Sequence, residues 1–188
     1  MSEDGANVRR VMDQFAISDA LARYARGVDR RQWEMVRSVF HPDASDDHGA
    51  YRGGIDGLIK WVSARHAPIE QAMHFLGNIL IEFANDDTAL VETYFTASVR
   101  LGPEATESRT SLLNDAAGTS HVDTTVLGRY IDRFERRQGE WKIAKRITIY
   151  EAIRTQPVAD AYRNPDYVWA KRDTSDAVFE MRREIFGR

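Results

Sequence analysis

The hydrophobic period changes at Pro68, and no other feature constrains the fold as much. Before it, apolar residues recur at helical spacing. Ile17, Ala20, Leu21, Tyr24, Ala25 and Val28 stand at i, i+3, i+4, i+7, i+8 and i+11, the stripe of one helix face. Gly27 and the broken pattern after Val28 mark its end. A second helix carries Trp33, Val36 and Phe40 and must stop before Pro42, because the residue preceding proline disfavours helical angles. "HPDASDDHGAYRGG" is turn-rich, with a short strand expected near His48–Tyr51. Ile55, Leu58, Ile59 and Val62 give a third helix that ends before Pro68.

After Pro68 the period is two. In "QAMHFLGNILIEFAND", Met73, Phe75, Gly77, Ile79, Ile81 and Phe83 take one face. His74, Leu76, Asn78, Leu80 and Glu82 take the other. "TALVETYFTASVRL", "TTVLGRYIDRFERR" and "EWKIAKRITIYEAIR" repeat the strand pattern, the last two joined by the hairpin signal Gln138-Gly139. Several of these strands lack a fully polar face, which predicts a sheet covered on both sides by helices and a second subunit. Residues 102–123 are too long and polar for a simple hairpin loop, and a loop of that length either has a function of its own or is disordered. The tail from Pro157 ends in a helix from Ser175. The fold class is α+β, with a domain over 1–155 and a C-terminal helical extension over 156–188.

A chain of 188 residues suits one core with an extension. Its net charge of −3 offers no basic field for phosphates, so a nucleic acid partner is not expected. With no cysteine there is no disulfide, thiolate nucleophile or zinc-thiolate site. The polar start "MSEDGANVRR" lacks the apolar core of a signal peptide, and no run reaches the ~18 apolar residues of a membrane span. A cytoplasmic protein without membrane contact is the expectation.

His74 sits on a strand where a pure core would place an aliphatic side chain. Its unperturbed pKa, ~6.5, allows proton transfer near neutrality, provided a carboxylate orients the ring. Asp29 can be that carboxylate, or it can cap the Trp33 helix, since "DRRQ" is a capping-box variant. Tyr24 stands five residues earlier, ~140° away on a continuous helix, so both reach one cavity only if the helix breaks at Gly27. Arg146 lies on one face of the last strand, either solvated or turned inward as an anion or carbonyl clamp. His41, Asp43, Asp46, Asp47 and His48 fail the calcium-loop pattern, and no metal site is expected. His66 and His121 are expected at the solvent.

In combination, "YARGVDRRQWEMVRSVF", "AMHFLGN" and "GEWKIAKR" resemble the SnoaL-like branch of the nuclear transport factor 2-like superfamily over roughly residues 10–153. The first stretch is similar to the segment that carries the catalytic aspartate in scytalone dehydratase, hexachlorocyclohexane dehydrochlorinase and bile-acid 7α-dehydratase. The second is similar to the strand bearing the paired histidine. The resemblance implies a cone-shaped α+β barrel, N-terminal helices packed on a curved, mostly antiparallel sheet. It implies a cofactor-independent lyase or isomerase for a hydrophobic ring compound, with His74 as base, Asp29 orienting it and Tyr24 donating a proton. Arg146 falls at an active-site arginine position. His48 and Tyr51 stand in for donors that relatives carry elsewhere, and Trp33 and Asn78 complete the candidate substrate contacts. A homo-oligomer, dimer or trimer, is implied. The alternative is a non-catalytic subunit resembling the small subunit of ring-hydroxylating dioxygenases.

Overall fold

A computed structural model describes residues 3–115, 117–158 and 164–187. Two helices open the chain, α1 (Glu3–Asp29) and α2 (Trp33–Ser38). A strand pair, β1 (Phe40–Asp47) and β2 (Arg52–Gly54), leads into α3 (Ile55–His66). Then come β3 (Ile69–Phe83), β4 (Thr88–Leu101), α4 (Thr106–Leu113), β5 (Val122–Arg137), β6 (Glu140–Pro157) and α5 (Ala177–Phe186). The strands form one curved, open six-stranded sheet in the order β2-β1-β6-β5-β4-β3. All neighbours are antiparallel except β1 and β6, which run parallel. The helical first third and the long-stranded remainder are thus divided as the change of period implies.

The core lies between the helices and the concave face. Ile17, Leu21, Tyr24 and Val28 of α1 meet Val36 and Phe40, Leu58 of α3, and Phe95, Tyr130, Phe134 and Ile143 of the sheet. Burying such side chains contributes about 1.5–3 kcal/mol each and is what holds the helices on the sheet. The α1 stripe read from sequence is therefore the buried face.

Four local expectations need correction. First, α1 does not break at Gly27 but runs straight through to Asp29. A Cβ at Gly27 would stand 2.7 Å from Val36 Cγ2 and 3.1 Å from its backbone N, so the glycine permits close approach of α2 rather than a bend. Second, the strand expected near His48–Tyr51 is instead the turn between β1 and β2, and Phe40, expected on the second helix, opens β1. Pro42 is tolerated there because the β1–β6 ladder is irregular between Phe40 and Ser45, where its missing N–H is not needed.

Third, β3 does not keep one alternation. Its ladder with β4 shifts between Leu76 and Ile79. Ala72, His74 and Leu76 pack inward before the shift, whereas Ile81 and Phe83 do so after it. One extra residue reverses the parity of a period-two strand. Met73 and Phe75 are consequently exposed, and Asn78 leaves the face of His74. Fourth, the 102–123 segment holds α4, whose Leu112 packs against the core. The Gln138-Gly139 hairpin stands as read, with φ of 55° and 85° at its two central residues, the signature of a type I′ turn.

Of the glycines in the sheet, Gly128 is the most closely packed. A Cβ there would meet Ile149 O at 2.3 Å and Phe95 Cζ at 2.7 Å. Its absence lets Phe95 stack on Tyr130 with ring centroids 4.4 Å apart. Gly128→Ala should therefore destabilise the protein by about 1–3 kcal/mol, lowering the urea midpoint without changing the slope of unfolding.

Candidate active site

Asp29 is the last residue of α1, and its side chain turns to the sheet. The backbone N–H of His74 donates to Oδ2 at 2.8 Å, and His74 Nδ1 stands 2.7 Å from Oδ1. An ionised carboxylate only accepts, so Nδ1 carries the proton and Nε2 is left with its lone pair free. Both side chains are only 10% exposed. The capping alternative fails, because Gln32 precedes α2 and no side chain caps it.

His74 lines a cavity between α1, α3 and the concave sheet that holds about 630 Å³ of empty space, part of it continuous with solvent. Its apolar wall includes Val28, Trp61, Phe95, Leu112 and Tyr130. Tyr24 and His48 line it as well. His74 joins the two sides of the problem raised by helix geometry. Asp29 approaches it from behind while Tyr24 faces the cavity beside it, and no helix break is required.

Tyr24 stands in an aromatic box. Its ring is edge-on to Tyr130 at 5.5 Å, and the Arg146 guanidinium lies 4.2 Å from its centroid. Burial pushes the phenol far above its ordinary range, against the opposing pull of Arg146. Tyr24 therefore stays protonated at neutral pH. Arg146 is turned inward and fully buried, held bidentately by Asp132 at 2.7 and 2.6 Å. It does not reach the cavity wall itself but acts on it through the rings of Tyr24 and Tyr130.

His48 forms a second histidine–carboxylate pair, from the opposite end of the sheet order. Its Nδ1 lies 2.8 Å from Asp46 Oδ1, and Thr148 Oγ1 is 3.2 Å from the same nitrogen. Asp46 is nearly fully buried. Tyr51 stacks on Trp61 at 5.7 Å and supports the wall from behind. Trp33 stands edge-on to the His66 ring at 6.2 Å, also behind the wall. Asn78 is exposed beyond the β3 irregularity. The sheet and helices thus bring His74, Asp29, Tyr24 and His48 together and leave Trp33, Tyr51 and Asn78 outside the cavity.

Two lining residues were missed or misread. His66 was expected at the solvent, yet it lines the cavity with Arg65. Residues 65 and 66 are i+3 and i+4 from Val62, so extending the α3 stripe by one turn would have found them. The tail supplies the partner. Arg172 Nη2 donates to His66 Nδ1 at 3.0 Å, and the same guanidinium reaches the carbonyls of Val28, Asp29, His66 and Ile69 at 2.8–3.2 Å. These include terminal carbonyls of α1 that have no partner within the helix. His121, by contrast, is exposed and pairs with Glu70. Among the described residues, no group of three His, Cys, Asp or Glu side chains is arranged to hold a metal ion. Among them, too, no helix is long and apolar enough to cross a membrane.

Two measurements follow from this geometry. Asp29→Ala strands a buried backbone N–H and a ring N–H, and should cost about 1.5–3 kcal/mol in chemical denaturation. The second concerns His66, whose imidazole burial, reinforced by the Arg172 charge, holds well below its ordinary value. The unfolded chain takes up that proton near pH ~6.5 and the folded one does not. Stability present above that value is lost as pH falls below it. The melting temperature should drop between about pH 7 and about pH 5.5, and His66→Gln should flatten the drop.

A family model for the SnoaL-like domain matches residues 9–147. The uncharacterized protein Rv2910c of Mycobacterium tuberculosis is 26% identical over 147 residues, covering 75% of this chain and 87% of its own. Among solved structures, a type 2 hexachlorocyclohexane dehydrochlorinase superposes with a TM-score of 0.66 at 20% identity, covering 85% of this chain and 98% of its own. A candidate scytalone dehydratase from Novosphingobium aromaticivorans gives 0.64 at 18% identity, covering 85% and 97%. At such identities these two similarities establish the cone-shaped fold. Together with the family match over most of its length, they assign the chain: it belongs to the SnoaL-like family.

Proposed function

We propose that this protein is a cofactor-independent lyase or isomerase, of dehydratase type, acting on a hydrophobic ring compound. The observation that carries the reading is the His74–Asp29 pair on the wall of a largely apolar cavity. Membership of a family whose structural neighbours include a dehydrochlorinase and a candidate dehydratase supports it.

In this mechanism Nε2 of His74 takes a proton from a ring carbon, and the Asp29 carboxylate stabilises the imidazolium that forms. The electron pair left on carbon forms the new double bond as the carbon–oxygen bond β to it breaks. Tyr24, kept protonated by its burial, donates to the departing oxygen, and Arg146 against its ring offsets the charge that develops there. The oxygen leaves as water. His48, oriented by Asp46, holds a further polar group of the substrate. In an isomerisation the proton on His74 returns to a different carbon. No step needs a metal or an organic cofactor.

A non-catalytic assembly subunit is the second reading. Met73, Phe75, Leu80 and Tyr94 are all exposed on the long strands β3 and β4, a surface suited to a neighbouring subunit. This same surface supports a homo-oligomer under either reading, with a solution mass above 21.5 kDa.

A screen of hydroxysteroids, hydroxylated polyketides and halogenated rings tests the choice. With a substrate in hand, His74→Ala should lower kcat by about 10²–10⁴-fold, and Tyr24→Phe should lower kcat more than it raises KM. Turnover unchanged in His74→Ala rejects the assigned base.

A further inference from the structure

Four arginines are buried among the described residues, and one of them stands apart. Arg109 reaches Asp115 and two carbonyls, Arg146 is clamped by Asp132, and Arg172 is spread over four carbonyls and His66. Arg65 is 8% exposed and lines the cavity, and among the described residues its guanidinium makes no hydrogen bond or salt bridge, Glu107 and Tyr150 acting on it only at longer range. Its one close partner is the Trp61 ring, 5.0 Å from centroid to Cζ. The two cavity-side carboxylates, Asp29 and Asp46, are committed to His74 and His48. A buried charge with no counterion in contact is costly unless a ligand completes it.

The neighbouring side chain points to the same ligand chemistry. An arginine can only donate, so the bond from Arg172 makes Nδ1 of His66 an acceptor and leaves the proton on Nε2. His66 thus offers the cavity an N–H donor, the reverse of the tautomer that carboxylates impose on His74 and His48. At one wall the cavity presents bases, and at the end of α3 it presents a cation and a donor.

We propose that Arg65 and His66 form a carboxylate-binding subsite, and that the cavity's ligand is a ring acid rather than a neutral ring compound. Arg65 supplies the charge and His66 the second N–H, with Arg172 of the tail as the positioning residue that holds the His66 tautomer. Burial draws the Arg65 guanidinium below its usual range, yet an arginine remains cationic at neutral pH. The subsite rests on the reading of this cavity as the ligand site, and extends it to the substrate's charge.

The test uses the whole chain and two probes of nearly equal shape, 2-naphthoate and 2-naphthamide, titrated by calorimetry. The wild type should bind the acid at least about tenfold tighter than the amide, as a charge-assisted bond to a buried guanidinium requires. Arg65→Met should bring the two to parity, with Arg65→Lys between. His74→Ala should leave the acid preference in place, so loss of turnover and loss of the subsite are read separately. In protein labelled with ¹⁵N-histidine, His66 should show the Nε2–H tautomer at neutral pH and shift on adding naphthoate, and Arg172→Met should erase the tautomer preference. Equal affinity for the two probes in the wild type, no binding of either, or an acid preference that survives Arg65→Met overturns the proposal. A His66 proton found on Nδ1 removes it from the subsite.

Discussion

One carboxylate joins the two halves of this molecule. Asp29 closes α1, and its oxygens accept both the backbone and the ring N–H of His74 on β3. The helix end, the strand and the imidazole are therefore set by a single group. A strand N–H used in this way is withdrawn from any alternative register, so the bond helps fix where β3 lies against α1. The same bond decides the tautomer of the histidine. Structure and chemistry are not separable here, since moving the helix end would release the ring.

The tail extends that arrangement beyond the matched domain. Arg172 collects the carbonyls that end α1 and those around the α3–β3 junction, and its last nitrogen settles the proton on His66. Guanidinium geometry suits this task, because it presents five donors in a fixed plane and never accepts. Three histidines line the cavity, and in each the protein has engaged Nδ1. The partner differs, and with it the role left to Nε2. Carboxylates prepare acceptors, and the arginine prepares a donor.

A second buried ion pair, Arg146 with Asp132, lies beneath the aromatic box of Tyr24, Tyr130 and Phe40. Replacing it by apolar side chains would often cost little stability, so energy alone does not account for it. Its place against two phenol rings puts its charge directly behind the cavity wall without making it part of the lining. The sheet also needs a glycine at 128 to bring Phe95 flat onto Tyr130. Packing and electrostatics in this layer are therefore set together.

Much of the fold was legible in the residues. The period change at Pro68 separated the helices from the long strands, and the spacing of Ile17 to Val28 marked the buried stripe of α1. Gln138-Gly139 declared its hairpin. His74 stood out as a titratable ring where a core strand would carry an aliphatic side chain, and Asp29 and Tyr24 were drawn in as its candidate partner and neighbour. What the residues could not show was where local rules yield to contact at a distance. A bulge after Leu76 reversed the faces of β3, and no periodicity reports an inserted residue in a ladder. Asp29 had a local partner available in the α2 amides and took a distant one, and only the packed sheet decides between them. Arg172 lies about a hundred residues beyond His66. The sequence by itself determined the main helices and the four long strands, though not β1, β2 or α4, because period and side-chain shape act locally. The tertiary structure alone decided which hydrogen bond each polar group makes, because that depends on which groups the fold brings within three ångströms.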